Sequence, residues 1–381
     1  MSKRILLTGE PKYGGVVVPS GKGLEETGMT LWGTQRAYYL FMARMVDELG
    51  FVQKPFLAHY GLAKNVEPLP EDTEVIFAIF PFYKYNLPEF LDYLGRNKKA
   101  KLIWIPDSDR RMWGKPVPGA RAFLKRCDLI LDFEWDTWPN TPSFTKVWPA
   151  YKHKRVFFPF YFCPEEWFLN IEFNTQPIMK CLFTGRVGVR YGLRNFLIKR
   201  ILKNPELKRL VAPLRHPSME HVSRSASLVA DEQDYSNEIM ANYNALSFID
   251  GGLVRREQYV RTLNQYFCSI ASGAWQEILV MKYFEIPASG SLMLAQRIPD
   301  LDKAGLVPNQ HYVPINVEYD KTRPCSGRVI SSNIGLVIKG VLSHPERYEA
   351  IRREGMEFVR KHHGLTARFN QFKILLGDLL K

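Results

Sequence analysis

The sequence predicts an α/β protein built from two doubly wound domains. The chain has 381 residues, more than one ordinary hydrophobic core accommodates, and 46% of them are hydrophobic. Apolar runs of strand length recur in both halves and alternate with segments of helical periodicity. Within each run the apolar residues are continuous, which is typical of parallel strands covered on both faces.

The first half opens with a short apolar strand, Arg4–Thr8, which a loop rich in Gly and Pro follows. Apolar residues at helical spacing then predict a helix over Trp32–Leu49, ended by Gly50. Three buried strands are predicted after it, at Glu74–Phe80, Lys101–Ile105 and Asp128–Leu131.

A proline-punctuated segment separates the two halves. The last strand of the first half, Arg155–Cys163, runs into it, and the charge and loop character change over Pro164–Pro177. We therefore divide the chain into a first domain, 1–170, a second domain, 171–364, and a closing helical segment, 365–381.

The second half repeats the alternation of strands and helices. A strand at Met179–Thr184 is followed by Gly185-Arg186 and by a helix from Leu193. A further helix is predicted near Gln258–Gln265, and further strands at Ala245–Ile249, Phe267–Ile270 and Ser291–Leu294.

The chain closes with two helical segments. Ser343, with Glu346 three residues later, has the capping-box pattern that predicts the start of a helix. Gly364 separates this helix from the last one, Thr366–Leu380.

The composition limits the partners and the compartment. The net charge of +13 indicates an anionic partner, which could be nucleic acid, a nucleotide, an acidic glycan or an anionic membrane surface, unless it reflects only a basic surface. The five cysteines are scattered without metal-ligand spacing, which argues against structural zinc and favours a reducing compartment. No signal-peptide core or long apolar run is present, so we expect a cytoplasmic protein whose membrane contact is at most peripheral.

One stretch in the second half, Trp275–Ala295, concentrates chemistry. It holds Glu277 and Glu285 with Lys282 between them, and then a turn of small residues, Ala288–Ser291. On a helix at about 100° per residue, eight steps return to nearly the same face, so all three charged groups would face one cleft. Small residues let backbone amides approach a ligand closely, which suits a diphosphate-linked sugar.

These residues resemble the signature of the group 1 glycosyltransferases, which have the GT-B fold of two Rossmann-like domains facing a central cleft. The stretch Lys282–Ala295 is similar to the family's basic residue, glutamate, small turn and strand. Phe183–Leu197 resembles the start of its second domain, Arg155–Phe168 its linker, and Ala304–Val313 its glycine–aromatic loop. Ser343–Asp378 resembles its closing helices, the last of which crosses back to the first domain.

The resemblance is to the retaining, family 4-like branch, and it is incomplete. Pro287 interrupts the alanine-rich turn that usually follows the second glutamate. The family's basic pair is represented by Arg186 and Lys282, and His59 stands where the branch has a first-domain histidine.

The resemblance implies roles in donor binding and catalysis. Glu285 would bind the donor ribose, and Glu277 would face the transferred sugar. Lys282 and Arg186 would neutralise the diphosphate leaving group. Further donor-binding candidates are Arg190, Ser289, Gly290 and Ser291. Arg190 and Arg194 are alternatives to the pair Arg186 and Lys282, although a spare arginine in so basic a chain is expected to be solvated.

The acceptor side would lie in the first domain. Gly14 and Gly15, after the first strand, would shape the cleft, and Asp107 follows a strand where an acceptor-side base could lie. His59 is the remaining candidate. The implied donor is a nucleotide sugar and the acceptor a glycan or a lipid-linked molecule, with no cofactor, no metal and no nucleic acid.

Two other hypotheses stay open at this stage. A catalytically inactive relative would bind a nucleotide or glycan with the same residues. A basic nucleic-acid-binding protein would use the net charge and the aromatic residues, although the basic residues are dispersed and no nucleic-acid-binding motif is present.

Overall fold

The computed structural model describes residues 3–8, 33–55, 68–79, 87–106, 118–132, 148–159, 162–185, 187–188, 191–214, 230–248, 256–273, 277–320, 322 and 327–381. The chain divides into two compact units. The first contains Met1–Phe160 and Leu365–Lys381, and the second contains Tyr161–Gly364. The boundary therefore follows Phe160, where the sequence-based division follows residue 170.

The first unit is built on a parallel sheet. Its strands are β1 (Lys3–Thr8), β2 (Phe51–Pro55), β3 (Thr73–Ile79), β4 (Lys101–Ile105), β5 (Leu129–Asp132) and β6 (Arg155–Phe157). They lie in the order β2-β1-β3-β4-β5-β6, and all neighbours are parallel. The helices described between these strands are α1 (Gly33–Leu49), α2 (Leu87–Tyr93) and α3 (Ala120–Arg126).

Continuous apolar runs form the central strands because both faces of this sheet are covered. In β3, four consecutive residues from Val75 to Ala78 are fully buried. One face packs against α2 and α3 through a core that includes Ile5, Ile76, Phe90, Trp104, Phe123 and Ile130. The sequence thus places these strands correctly to within one residue at each end.

The second unit contains a second parallel sheet. Its strands are β7 (Ile178–Phe183), β8 (Val211–Pro213), β9 (Tyr266–Ala271), β10 (Leu292–Gln296) and β11 (Val313–Ile315), in the order β11-β10-β9-β7-β8. All neighbours are again parallel. A two-stranded antiparallel sheet, β12 (Val317–Tyr319) and β13 (Val329–Ser332), follows it.

Helices connect and flank the strands of the second unit. They are α4 (Gly192–Lys203), α5 (Pro205–Leu210), α6 (Ala230–Asn244), α7 (Arg256–Gln265), α8 (Lys282–Ala288), α9 (Pro299–Lys303), α10 (Ile334–Ser343) and α11 (Glu349–His362). The core of the unit includes Phe183, Leu197, Ile201, Tyr243, Ile270, Leu294 and Ile338.

The last helix, α12 (Leu365–Leu380), returns to the first unit. Its Phe372 ring packs edge-on against Phe41 of α1 at 5.4 Å and against Phe77 of β3 at 5.3 Å between ring centroids. Phe369 packs against Phe41 in the same manner at 5.6 Å. This helix completes an aromatic cluster on the first sheet.

One predicted strand is shorter than expected, and another is wrong. Strand β6 ends at Phe157, because Pro159 and Pro164 lack the amide hydrogen that a strand needs. Ala245–Phe248 is not a strand; the Ala245 and Leu246 amides donate to carbonyls of α6 and extend its C-terminal end. A short apolar run does not by itself distinguish a strand from a buried helix end.

The predicted helix start at Ser343 is also wrong. Ser343 is the last residue of α10, and a 3-10 turn, Pro345–Tyr348, precedes α11. The apolar periodicity of Ile334–Ser343 extends α10 through the proposed cap, and Pro345 then initiates the turn. The break at Gly364 before the last helix is confirmed.

Candidate functional site

The order of the second sheet creates a crevice at one edge. Strands β7 and β9 are the first and third of this sheet along the chain, and they are neighbours, with β8 on one side and β10 on the other. The connections leave them in opposite directions, so a crevice opens beyond their carboxyl ends, where ligands of doubly wound proteins bind. Thr184-Gly185 follows β7 there, and Ser272-Gly273 follows β9.

Two basic side chains converge on this crevice. Lys282 Nζ, from the start of α8, donates to the carbonyl oxygen of Thr184, and Arg194 Nη2 donates to the carbonyl oxygen of Ser272 at 3.2 Å. Arg194 lies in the first turn of α4, which follows β7, and is only 4% exposed. Each cation therefore anchors to the end of one of the two central strands.

Gly185 shows how close the two cations are. Its φ is +127°, and a Cβ there would lie 2.9 Å from both Arg194 Nη1 and Lys282 Nζ. One methyl group would thus displace both cations, and the φ of +127° itself favours glycine at this position.

Aromatic rings flank both cations. The Arg194 guanidinium lies 4.4 Å from the ring centre of Tyr191, and Lys282 Nζ lies 5.7 Å from that of Tyr259. Such contacts stabilise a cation without neutralising it. The two basic groups are therefore held in place by aromatic rings at the carboxyl edge of the sheet.

Glu285 lies one helical turn after Lys282 in α8 and is 7% exposed. Burial raises its pKa to about 7, and the nearby Lys282 opposes this increase. Burial and the charge of Arg194 together hold the pKa of Lys282 well below its ordinary value, while Glu285 acts in the opposite direction. The protonation of this pair is consequently sensitive to any charge added nearby.

Glu277 does not share a helix with Lys282 and Glu285, so the expectation of a single helical face is wrong. The helix begins only at Lys282, and Glu277 has φ +54°, which a right-handed helix excludes. The chain turns back first, because the Ile278 amide donates to Gly273 O at 2.9 Å. Glu277 is half-buried, and burial raises the pKa of its carboxyl group.

The turn of small residues at Ser289–Ser291 makes hydrogen bonds within the protein. The Ser289 and Gly290 amides donate to carbonyls of α8, and the Ser291 amide donates to Ser289 Oγ at 3.2 Å. Ser289 and Ser291 are at most 1% exposed, and Gly290 has φ +80°. This geometry explains the small residues structurally, and their role in donor binding stays a prediction.

Six candidates fall outside the described residues: Arg186, Arg190, Gly14, Gly15, His59 and Asp107. No cluster of three or more His, Cys, Asp or Glu side chains that could hold a metal occurs in the described part of the chain. Among the described helices, none is long and apolar enough to cross a membrane.

The sequence does not predict that Arg194 belongs to the site. It is buried at the crevice, although a solvated arginine is expected at this point of the sequence. A usable signal was its position two residues after Gly192 in a helix that follows a strand and a glycine-rich loop. The first turn of such a helix lies at the carboxyl edge of the sheet.

Comparison with known proteins identifies the architecture. No protein-family model matches the sequence, and no curated protein matches it significantly. Solved structures match over nearly the whole chain. Sucrose-phosphate synthase from Thermosynechococcus elongatus is 10% identical with a TM-score of 0.58, covering 99% of both chains. These two parallel sheets are the Rossmann-like sheets of the GT-B fold.

The chain has the GT-B fold.

Two other GT-B structures contain nucleotides. HepE of Anabaena, solved with UDP and glucose, is 10% identical with a TM-score of 0.56, covering 99% of this chain and 100% of its own. An alpha-glucosyltransferase, solved with UDP-glucose and DNA containing an abasic site, has the same identity, TM-score and coverage. At this identity the likeness establishes the GT-B fold.

Proposed function

We propose that this protein is a glycosyltransferase whose second unit binds the diphosphate of a nucleotide-sugar donor between Arg194 and Lys282. The observation that carries the proposal is the placement of two cations, the buried Arg194 and the half-buried Lys282, next to Gly185 and beyond the carboxyl ends of β7 and β9. Two neighbouring cations at the carboxyl edge of a parallel sheet favour the binding of a multivalent anion. The nucleotides present in HepE and in the alpha-glucosyltransferase make a uridine diphosphate the first candidate.

The residues of the crevice suggest a division of labour. When the bond between the sugar and the diphosphate breaks, negative charge grows on the diphosphate, and Arg194 and Lys282 stabilise it. Glu277 faces the sugar, where positive charge develops at the anomeric carbon. Glu285 binds the ribose and holds Lys282 in place. Arg186 and Arg190 would add further contacts to the diphosphate.

The finer assignments belong to the same proposal. Cations of the protein take the place of a metal ion, and a pair of glutamates like that of the retaining branch favours retention of configuration. The acceptor is a glycan or a lipid-linked molecule bound through Gly14, Gly15, His59 and Asp107. The net charge of +13 would support peripheral contact with an anionic membrane and an acidic acceptor.

Isothermal titration calorimetry of the purified protein with UDP, UDP-glucose, ADP, GDP and uridine tests the donor site. We expect one nucleoside diphosphate to bind in the presence of EDTA, and its nucleoside to bind far more weakly because it lacks the diphosphate. Failure of every nucleotide to bind would refute the proposal. Hydrolysis of the bound nucleotide sugar then separates an enzyme from an inactive relative.

Binding of UDP-glucose, whose diphosphate has no group that titrates near neutral pH, is also expected to take up as much as about one proton near pH 7. The pKa of Lys282 is lowered by burial and by Arg194, and an added diphosphate raises it. The same anion raises the pKa of Glu285, which already lies at about 7, so both groups gain protons. Calorimetry in two buffers of different ionisation enthalpy measures the number of protons taken up on binding. Release of protons would contradict this electrostatic account.

A further inference from the structure

A buried glutamine lies at the edge of the proposed donor site. Gln296 is the last residue of β10 and is 2% exposed. Its main-chain carbonyl oxygen accepts a hydrogen bond from Tyr283 OH at 3.3 Å, and its side-chain Oε1 accepts one from Tyr319 OH at 2.9 Å. Because Oε1 is fixed by Tyr319, the orientation of the whole side-chain amide is fixed.

The amide nitrogen of Gln296 is a hydrogen-bond donor that no acceptor among the described residues engages with normal geometry. Gln296 Nε2 is buried and makes no hydrogen bond within strict geometric limits. It is nevertheless close enough to Glu277 for hydrogen bonding to lower the pKa of that carboxyl group. Donor and acceptor therefore lie near each other without forming a hydrogen bond of normal geometry, as is common in an active site before its substrate binds.

Glu277 needs such support because of its own backbone. Its φ of +54° is uncommon for a residue other than glycine, and it is half-buried in the turn before α8. Strained positions of this kind persist where the surrounding structure holds them, and they cluster at functional sites.

We propose that Gln296, oriented by Tyr319, is a positioning residue that holds the Glu277 carboxylate toward the donor sugar. The hydrogen bond from Tyr319 fixes the amide, and the amide then directs Nε2 to Glu277. This inference rests on the proposed function, since it assigns Gln296 a part in the same donor site.

Two phenols among the described residues lie near Glu277 and stay neutral. Tyr283 approaches from α8 and Tyr319 from β12, and the charge of Glu277 acts on both. Burial raises the pKa of each phenol, so neither ionises near neutral pH. The charge of Arg194 also acts on both phenols, and Gln296→Met leaves Arg194 in place, so a difference in Glu277 titration between the wild-type protein and this variant reports on Gln296.

The test is a titration that does not depend on activity. The full chain is labelled at the carboxyl carbon of glutamate, the Glu277 resonance is assigned with Glu277→Gln, and its pKa is measured by NMR without ligand. In Gln296→Met we expect the pKa to rise by about one unit, because the amide no longer stabilises the charged form of Glu277. Tyr319→Phe should produce a smaller rise, and the control Tyr348→Phe none.

An unchanged Glu277 pKa in Gln296→Met would overturn the inference. If that variant does not fold, Tyr319→Phe alone decides, and an unchanged pKa there has the same meaning. A wild-type protein that binds no nucleotide would refute the proposed function, whereas the titration would still decide whether Gln296 holds Glu277.

Turnover of the donor gives a second measurement if the wild-type protein hydrolyses it. In Gln296→Met we expect kcat to fall about tenfold with little change in KM, since a positioning group acts on the transition state. The acidic limb of the pH profile of kcat/KM, which reports on the free enzyme, should move to higher pH by the same amount as the NMR titration. A fall in kcat with no such movement would contradict a role exerted through Glu277.

Discussion

Replacing Lys282 with methionine is expected to weaken UDP binding about 100-fold, because a buried hydrogen bond between charged groups is lost. The free energy of unfolding of the ligand-free protein should change by no more than about 1 kcal/mol at about pH 6, where Glu285 is mostly protonated and tolerates the loss of its partner. Methionine keeps the length and the apolar stem of the side chain. Calorimetry with UDP and urea unfolding without it measure the two effects.

The contrast between binding and stability distinguishes a ligand site from a structural ion pair. Lys208→Met is the matched control, because Lys208 is an exposed lysine of α5 in the same unit. It should alter neither quantity. If Lys282→Met bound UDP as tightly as the wild-type protein, the diphosphate would have to bind elsewhere.

Replacing Gly192 with alanine is expected to lower the free energy of unfolding by about 3 kcal/mol, since overpacking against rigid backbone is costly. A Cβ at Gly192 would lie 1.7 Å from the carbonyl oxygen of Gly327 and 3.0 Å from Val329 Cγ2. Either α4 or the backbone before β13 must move. Because α4 also positions Arg194, UDP affinity should fall with stability.

Gly340→Ala is the matched control for this prediction. Gly340 lies inside α10, and a Cβ there would meet nothing within 4 Å. Alanine should therefore increase stability by about 0.5–1 kcal/mol through helix propensity alone. Urea unfolding followed by circular dichroism compares both variants. Similar midpoints for the two variants would show that α4 and Gly327 are not in close contact.

The parallel architecture could be predicted because burial on both faces leaves a direct mark on the sequence. After Lys101, the run at Lys101–Ile105 is apolar on both faces of the strand. Its bounds as a strand are confirmed. The run at Ala245–Ile249 has the same appearance but continues from α6, and local composition does not record which partner covers it. Periodicity also could not show that α10 would extend through Ser343.

Only the part of the site that depends on local geometry could be predicted from the sequence. Lys282 and Glu285 are three residues apart on a real helix, so their proximity follows from local geometry. Glu277 enters by a turn at φ +54°, which spacing does not reveal. Arg194 and Gln296 reach the site only through the order of the strands, and a single sequence does not state that order.

The return of α12 to the first unit constrains how this chain is made. A ribosome synthesises β1 and β3 before the second unit, but the Phe369 and Phe372 rings that cover Phe41 and Phe77 emerge only after it. The nascent first unit therefore exposes aromatic surface until the second unit has been translated. Loss of α12, by a stop codon before it or by proteolysis, would leave that surface exposed and would make the shortened chain prone to aggregate.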